Sequence, residues 1–529
     1  MGYQGQTVTI PLGNQGLLTD INPSDIPITA LIRANNVNLG NGNIEKANGS
    51  HKYNSSALSS GIVALFDWHP SSITQRLIAL TSDGSIYKDS GDRLFNGGTA
   101  INTGLGSPSV RSQFVEGGNE TAGRNKKLFL FTENNQVQVL SGDGTTFADI
   151  ATPAADWSTP NFPTGGIIHR NRLWAFGNDN AKSRIYASNT GDHEDFTASF
   201  LTFNIFPGEG GRLIGAYVFK GRLFVFKEGD FVYYLNDGDS NSSNWYFSKL
   251  SSSFGLASPH GLLQAMDDVL VANTVGSITS MRAADTFGDI ESADLLAVSQ
   301  IENYVRETTS ISGAQFSHTL YYGAKKLAYF TFRSKYGGTN DRVLVMDLNR
   351  KQPRFSFLTK DSPDVLALRK DINGVGRPIY GDASGYVYTM DEEDRDVGGN
   401  AYTGEFKTPH TDFRSVDPSI VHKEKHFDWI AVEFIPQGNW NLSADVFIDG
   451  KFSETLTFSM KTRSDGMDTF TLDEDDLGRE ESQLSPMKPL HGTGRRISLR
   501  FYNSGLLENF KLSSYTIGFR PAGEGPTRL

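Results

Sequence analysis

A short apolar strand introduced by a polar or basic pair recurs along this chain at a spacing few folds accommodate. Its sharpest copy is Asn171-Arg172-Leu173-Trp174-Ala175-Phe176, inside the stretch Gly166 to Phe196. Degraded copies carry Leu77, Leu128, Leu223, Val269, Leu327 and Pro378 at the position of Leu173, so neighbouring copies lie 45 to 58 residues apart. Turn chemistry follows each copy, as at Asp83-Gly84, Glu228-Gly229 and Gly337-Gly338, and then a second strand such as Phe231 to Leu235. Short strands repeating about every 40–50 residues indicate radial repetition, because one hairpin unit cannot bury both its faces alone. The expected fold is therefore all-β, a β-propeller of six or seven blades.

The remaining segments are organised around that repeat. Residues 1–55 read as an N-terminal arm or platform segment, with loop chemistry at Asn22-Pro23 and a small hairpin turning at Asn41-Gly42. The propeller is expected over 56–397. It is interrupted near 289–308 by one short inserted helix, in which Leu295, Val298, Ile301 and Val305 share a face. Ser292 is placed to cap that helix and Asp294 to lie in its first turn. From Gly398 the pattern becomes period-two alternation, as in Trp429 to Phe434, Leu442 to Ile448 and Phe452 to Phe458. Residues 398–529 are expected to form an antiparallel β-sandwich, with the acidic Asp465 to Lys488 as a long loop.

Composition removes several chemistries. The chain has no cysteine, hence no disulfide framework and no thiolate nucleophile or metal ligand. Its net charge of -11 opposes wrapping a nucleic-acid backbone. The opening MGYQGQTVTI has no signal-peptide pattern, and no run reaches the roughly 18 apolar residues of a membrane helix, so the chain is expected to be soluble. Ser141 to Phe147 and Thr81 to Tyr87 fall just short of a sialidase Asp-box and read as hairpin turns. His422 and His426 are four apart in an irregular, charged segment and read as a surface pair. Asn236 to Asn241 lacks the spacing of a calcium loop. The acidic run Asp391 to Asp396 reads as a solvated linker. No phosphate loop, zinc-protease motif or nucleophile elbow is present. No catalytic, metal or cofactor-binding residue is assigned and no cofactor is expected; the tips Asn178 to Ala181 and Asp237 to Asn244 are candidates for protein contacts on geometry alone.

The order of these strand-and-turn signatures resembles the tail nozzle family of short-tailed bacteriophages, also called tail tubular protein B, and the related tail hub proteins. The likeness rests on the Arg-Leu-Trp strand leading to Ser188-Asn189-Thr190-Gly191-Asp192 and Phe196, and on Gly221-Arg222-Leu223-Phe224-Val225-Phe226. It rests also on Gly255-Leu256-Ala257-Ser258-Pro259, and on Gly16-Leu17 followed by Asn35-Asn36-Val37. Lys227 stands where the family usually has Thr, and Ala47-Asn48-Gly49 departs from its Arg-Pro-Gly-like end. The resemblance is good over about residues 15–280 and architectural beyond. It implies a non-enzymatic virion protein, a homohexamer below the portal and adaptor rings. That ring's channel would pass genomic DNA without sequence-specific binding, and its outside would dock tail fibres or spikes. The alternative is a carbohydrate-binding or glycan-hydrolysing propeller with a lectin-like sandwich, which predicts aromatics exposed around a pocket.

Overall fold

The computed structural model describes residues 5–90, 95, 100–119, 125–197, 200–251, 254–273, 276–283, 294–371, 373–460 and 486–521. Most of the expected loop Asp465 to Lys488, and Ser292 with it, lies outside them. Residues 62–392 form small antiparallel sheets in sequence order, spanning 62–88, 113–149, 165–204, 213–251, 262–280, 319–358 and 365–392. Their first strands stand side by side in that order, and the first strand of the 365–392 sheet returns to lie against Ile62–Ser71. The fold is β-propeller-like.

The continuous apolar character of the repeat follows from this packing. A strand covered on both faces cannot alternate, and every residue of Arg172–Phe176 is buried. Leu173 faces a core shared with the preceding sheet, including Phe129 and Phe131, while Trp174 and Phe176 face one shared with the next, including Leu223 and Val225. Pairs of neighbouring sheets thus close separate cores. The first strands crowd at the ring's centre, where Gly166 has no room for a side chain; a Cβ there would sit 2.6 Å from the Phe131 ring.

The stretch leading into the 113–149 sheet crosses this centre. His318 donates from Nε2 to the Val110 carbonyl at 2.8 Å and His260 from Nε2 to that of Ser112 at 2.9 Å. The two imidazoles stack at 4.0 Å. Burial holds both rings below the ordinary imidazole range, His260 at about 4.

The segment before residue 55 does not stand apart as an arm. Gly49–Lys52 pairs with Val387–Glu392 and supplies the outermost strand of the last ring sheet. Gln6–Pro11 pairs with Lys511–Pro521 in a sheet that also holds Val37–Leu39, Ile44–Lys46, Lys425–Phe434 and Met487–Gly494. A facing sheet holds Gly404–Lys407, Ile497–Asn503, Asn441–Ile448 and Lys451–Ser459. Arg33–Asn35 joins it edge to edge with the 319–358 ring sheet. One core fills the space between these sheets and continues under the ring sheets at 262–280 and 319–358.

The single inserted helix is corrected to two short ones, Leu295–Val298 and Glu302–Thr308. Gln300 takes a left-handed φ of 56° between them, which breaks the register. Leu296, Ile301 and Val305 are therefore buried while Val298 is 60% exposed. Asp294, expected in the first turn, is instead the N-cap, accepting from the backbone N–H groups of Leu296 and Ala297.

Candidate functional site

Two of the motifs that narrowly missed a chemical signature hold neighbouring sheets together. Asp143, in the Ser141 to Phe147 turn, accepts from Arg76 at 3.0 Å and Lys88 at 3.1 Å of the preceding sheet, which keep its carboxyl below the usual range against the pull of desolvation. Asp83 bonds within its own turn, to Thr81 and the Ser85 N–H. Asp237 accepts from His169 at 2.7 Å and Arg170 at 2.8 Å, again across a sheet boundary. Asp239 accepts from the Asn241 N–H and Asn244 side chain, so the Asn236 to Asn244 tip is closed by its own bonds. His426 bonds Thr493 at 2.6 Å, whereas His422 lines a separate cavity beside Arg414, Arg495 and Arg496. From the linker run, Asp391 pairs with Lys325 and Asp396 with His51. Among the described residues, no group of three His, Cys, Asp or Glu is placed to hold a metal ion. Nor is any described helix long and apolar enough to cross a membrane.

The two hairpin tips are not brought together. Asn178 is buried and caps the short turn Asp179–Ala181, with Asp179 paired to Arg212. Asp237 sits instead beside the turn that opens the preceding sheet, at the opposite end of the strands.

An open aromatic cavity lies between the outermost strands of the 165–204 and 213–251 sheets. It has a volume of about 380 Å³ and is walled by Phe203, Phe206, Trp245, Tyr246 and Phe247. Trp174 is its foundation: the buried indole lies near-parallel to Phe203 at 5.9 Å and to Trp245 at 6.5 Å, and its N–H donates to the His169 carbonyl. Trp245 is oriented by its own N–H, which donates to the Asp239 carbonyl at 2.8 Å. Tyr246 is 59% exposed and Phe206 38%.

Lys227, where the resembled family usually has Thr, builds the cavity's other lip. Its buried ammonium bonds Ser183 at 3.1 Å and the carbonyls of Phe206 and Glu209, tying the loop that presents Phe206. Desolvation lowers its pKa. Tyr233 stacks on Phe206 at 5.0 Å and donates to Glu209, which also pairs with Lys249. The result is an apolar, aromatic concavity with a polar rim, the general form of a small-ligand or side-chain docking site. The sequence signal for it was the run Trp245-Tyr246-Phe247 directly after a polar tip.

No family model and no curated protein sequence matches this chain. Among solved structures it is similar to the WD40 repeats of RRP9, with 9% identity over 66% of this chain and 99% of that one and a TM-score of 0.39. At that score the likeness carries no argument.

Proposed function

We propose that this chain is a structural subunit of a short bacteriophage tail, a nozzle or hub protein with no catalytic role. In this reading the ring sheets are seven propeller blades, the last completed by Gly49–Lys52, and the two facing C-terminal sheets are a β-sandwich. The observation that carries the proposal is the fusion of these two parts. Arg33–Asn35 runs parallel to Arg354–Leu358 on one side and antiparallel to Gly404–Lys407 on the other, making one continuous nine-stranded sheet. Linked domains move by default unless a large apolar interface joins them. A shared sheet over a shared core instead suits a subunit that must hold a channel open under load.

Six such subunits form a closed ring below the portal and adaptor, with fibres or spikes on the outside and the assembled protein in the virion tail. The nearly fully exposed Ile73 and Tyr336, both on hairpin turns, are suited to contacts with neighbours. The net charge of -11 favours passage of DNA over binding, since an acidic lining repels phosphate. Native mass and negative-stain imaging, alone and with a portal–adaptor complex, test the reading. A ring with a central hole supports it, and a monomer that ignores the adaptor sinks it.

The aromatic cavity favours a second reading, carbohydrate binding. Flat rings with a polar rim suit the C–H face of a sugar, whose partly positive hydrogens meet the negative ring faces. Glycan-array binding that Trp245→Ala abolishes supports it; an array with no signal removes it.

A further inference from the structure

We infer that Lys46 and Asn503 form a covalent isopeptide bond, made by the folded chain itself with Glu508 as proton carrier. The three side chains converge between the two C-terminal sheets. Lys46 Nζ lies 3.2 Å from Asn503 Oδ1, and Asn503 Nδ2 lies 2.6 Å from Glu508 Oε2. The amide's orientation is fixed from both ends, because Nδ2 also donates to the Asn441 carbonyl at 2.9 Å. The amine thus meets the carbonyl side of the amide, and the carboxylate sits at the nitrogen that would leave.

The backbone is built to allow this approach. Asn503 pairs directly opposite Gly404 across its ladder. A Cβ on Gly404 would stand 2.7 Å from Lys46 Cγ, so the missing side chain is the slot through which the lysine stem reaches its neighbour. Lys46 is fully buried and Asn503 is 4% exposed. The ammonium lies 4.6 Å from the centre of the Tyr402 ring, and its remaining contact is the Gly505 carbonyl at 3.0 Å. Desolvation brings the Lys46 ammonium down to about 8, although Glu508 opposes it, so a reactive neutral amine is accessible near neutral pH.

The chemistry balances without any added reagent. Lys46 gives up a proton, which reaches Glu508 through the Asn503 amide that hydrogen-bonds both groups, and its nitrogen pair attacks Asn503 Cγ, forming the new C–N bond. The tetrahedral carbon reforms its C=O as the Cγ–Nδ2 bond breaks. Glu508 takes the second proton lost by the attacking nitrogen and delivers protons to the leaving one. The products are a secondary amide and one ammonium ion, and Glu508 ends as a carboxylate. Nothing is oxidised or reduced. The bond would staple one sheet to the other and close a loop between residues 457 apart in sequence, restricting the unfolded chain.

Mass spectrometry of the full-length protein, denatured after folding, tests the assignment. The expected result is a mass short of the sequence value by one ammonia, and a tryptic digest with a branched peptide joining the Lys46 and Asn503 segments. Folded wild-type protein that yields only linear peptides overturns the proposal. Lys46→Arg and Asn503→Ala should each restore the full mass. Should either fail to fold, Glu508→Gln, whose side chain is half-buried, serves instead. It should fold, shown by an unchanged near-ultraviolet circular dichroism spectrum, and lose the branched peptide. Cross-linking at the wild-type rate in that variant would overturn the role given to Glu508.

Discussion

The ring and the C-terminal body are both antiparallel β structure, yet they are closed by opposite means. In the ring most strands pair with one a few residues away, and most neighbouring sheets share small cores of their own, as between Trp174 and Leu223. In the body Gln6–Pro11 pairs with Lys511–Pro521, Ile44–Lys46 continues along the same edge of that strand, and Lys425–Phe434 takes its other edge. Local pairing asks little loop-closure entropy, whereas pairing the two ends of the chain must wait for everything between them. The ring is thus a set of nearly independent seams, and the body a single late one.

The largest expected effect is at the seam under the aromatic cavity. Trp174→Ala removes a fully buried indole lying near-parallel to Phe203 and Trp245, which should cost about 3–5 kcal/mol. If ring seams are independent, hydrogen exchange should rise across 165–251 while protection in Lys511–Pro521 stays near its wild-type level. Equal loss in both regions would break the comparison.

A test of similar size sits where ring and body meet. Lys360 bonds both Ser50, on the strand that closes the ring, and Asp361, with Tyr380 as a further donor to that carboxylate. Both charged side chains are almost fully buried. Lys360→Met leaves Asp361 uncompensated and should cost about 3–5 kcal/mol by chemical denaturation. Loss of protection should spread into both parts, unlike the Trp174 variant. The exposed pair Arg520–Asp428 in the body is the control, and Arg520→Met should leave the midpoint unchanged.

The same contrast explains what the sequence disclosed. The ring was legible because its signal is local: a polar pair, four apolar residues and a turn, repeated. Three of the body's strands, at Trp429 to Phe434, Leu442 to Ile448 and Phe452 to Phe458, were legible from alternation, but Gly404–Lys407 and Met487–Gly494 were not, being short or poor in apolar residues. The fate of residues 1–55 was hidden for another reason. Asn36 adopts φ 53°, and its side chain bonds Thr403 and Thr359, far along the chain; nothing near it announces that pairing. Of the aromatic cavity, Trp174 stood out in the sequence. Phe203 and Phe206 did not, because a phenylalanine that walls a cavity looks like one that fills a core.

The third test acts on the ring's centre. His260 and His318 are held neutral by burial, so the unfolded chain takes up protons that the folded one refuses. Their contribution is complete above the unfolded value of 6.5 and is lost as pH falls through about 4. The His260 shift alone is worth on the order of 3 kcal/mol. Unfolding free energy should therefore decline between pH 7 and pH 4.5, and His260→Gln, which keeps a donor for Ser112, should flatten that slope. An unchanged slope would mean that the centre contributes nothing the body does not.

The smallest effect belongs to the latches between ring sheets. Asp143 bridges to Arg76 and Lys88 with a side chain still 39% exposed, so solvent screens most of its attraction. Asp143→Asn should cost about 0.2–1 kcal/mol. The loss should shrink in 1 M salt, where the screening length is only about 3 Å. Asp237, with a side chain only 8% exposed between His169 and Arg170, is the sharper probe of the same device. Its Asn variant keeps the shape but gives up the charge beside a buried imidazole, and its cost should exceed that of Asp143→Asn and resist salt. If the two variants behave alike, the seams of the ring are held by apolar packing alone.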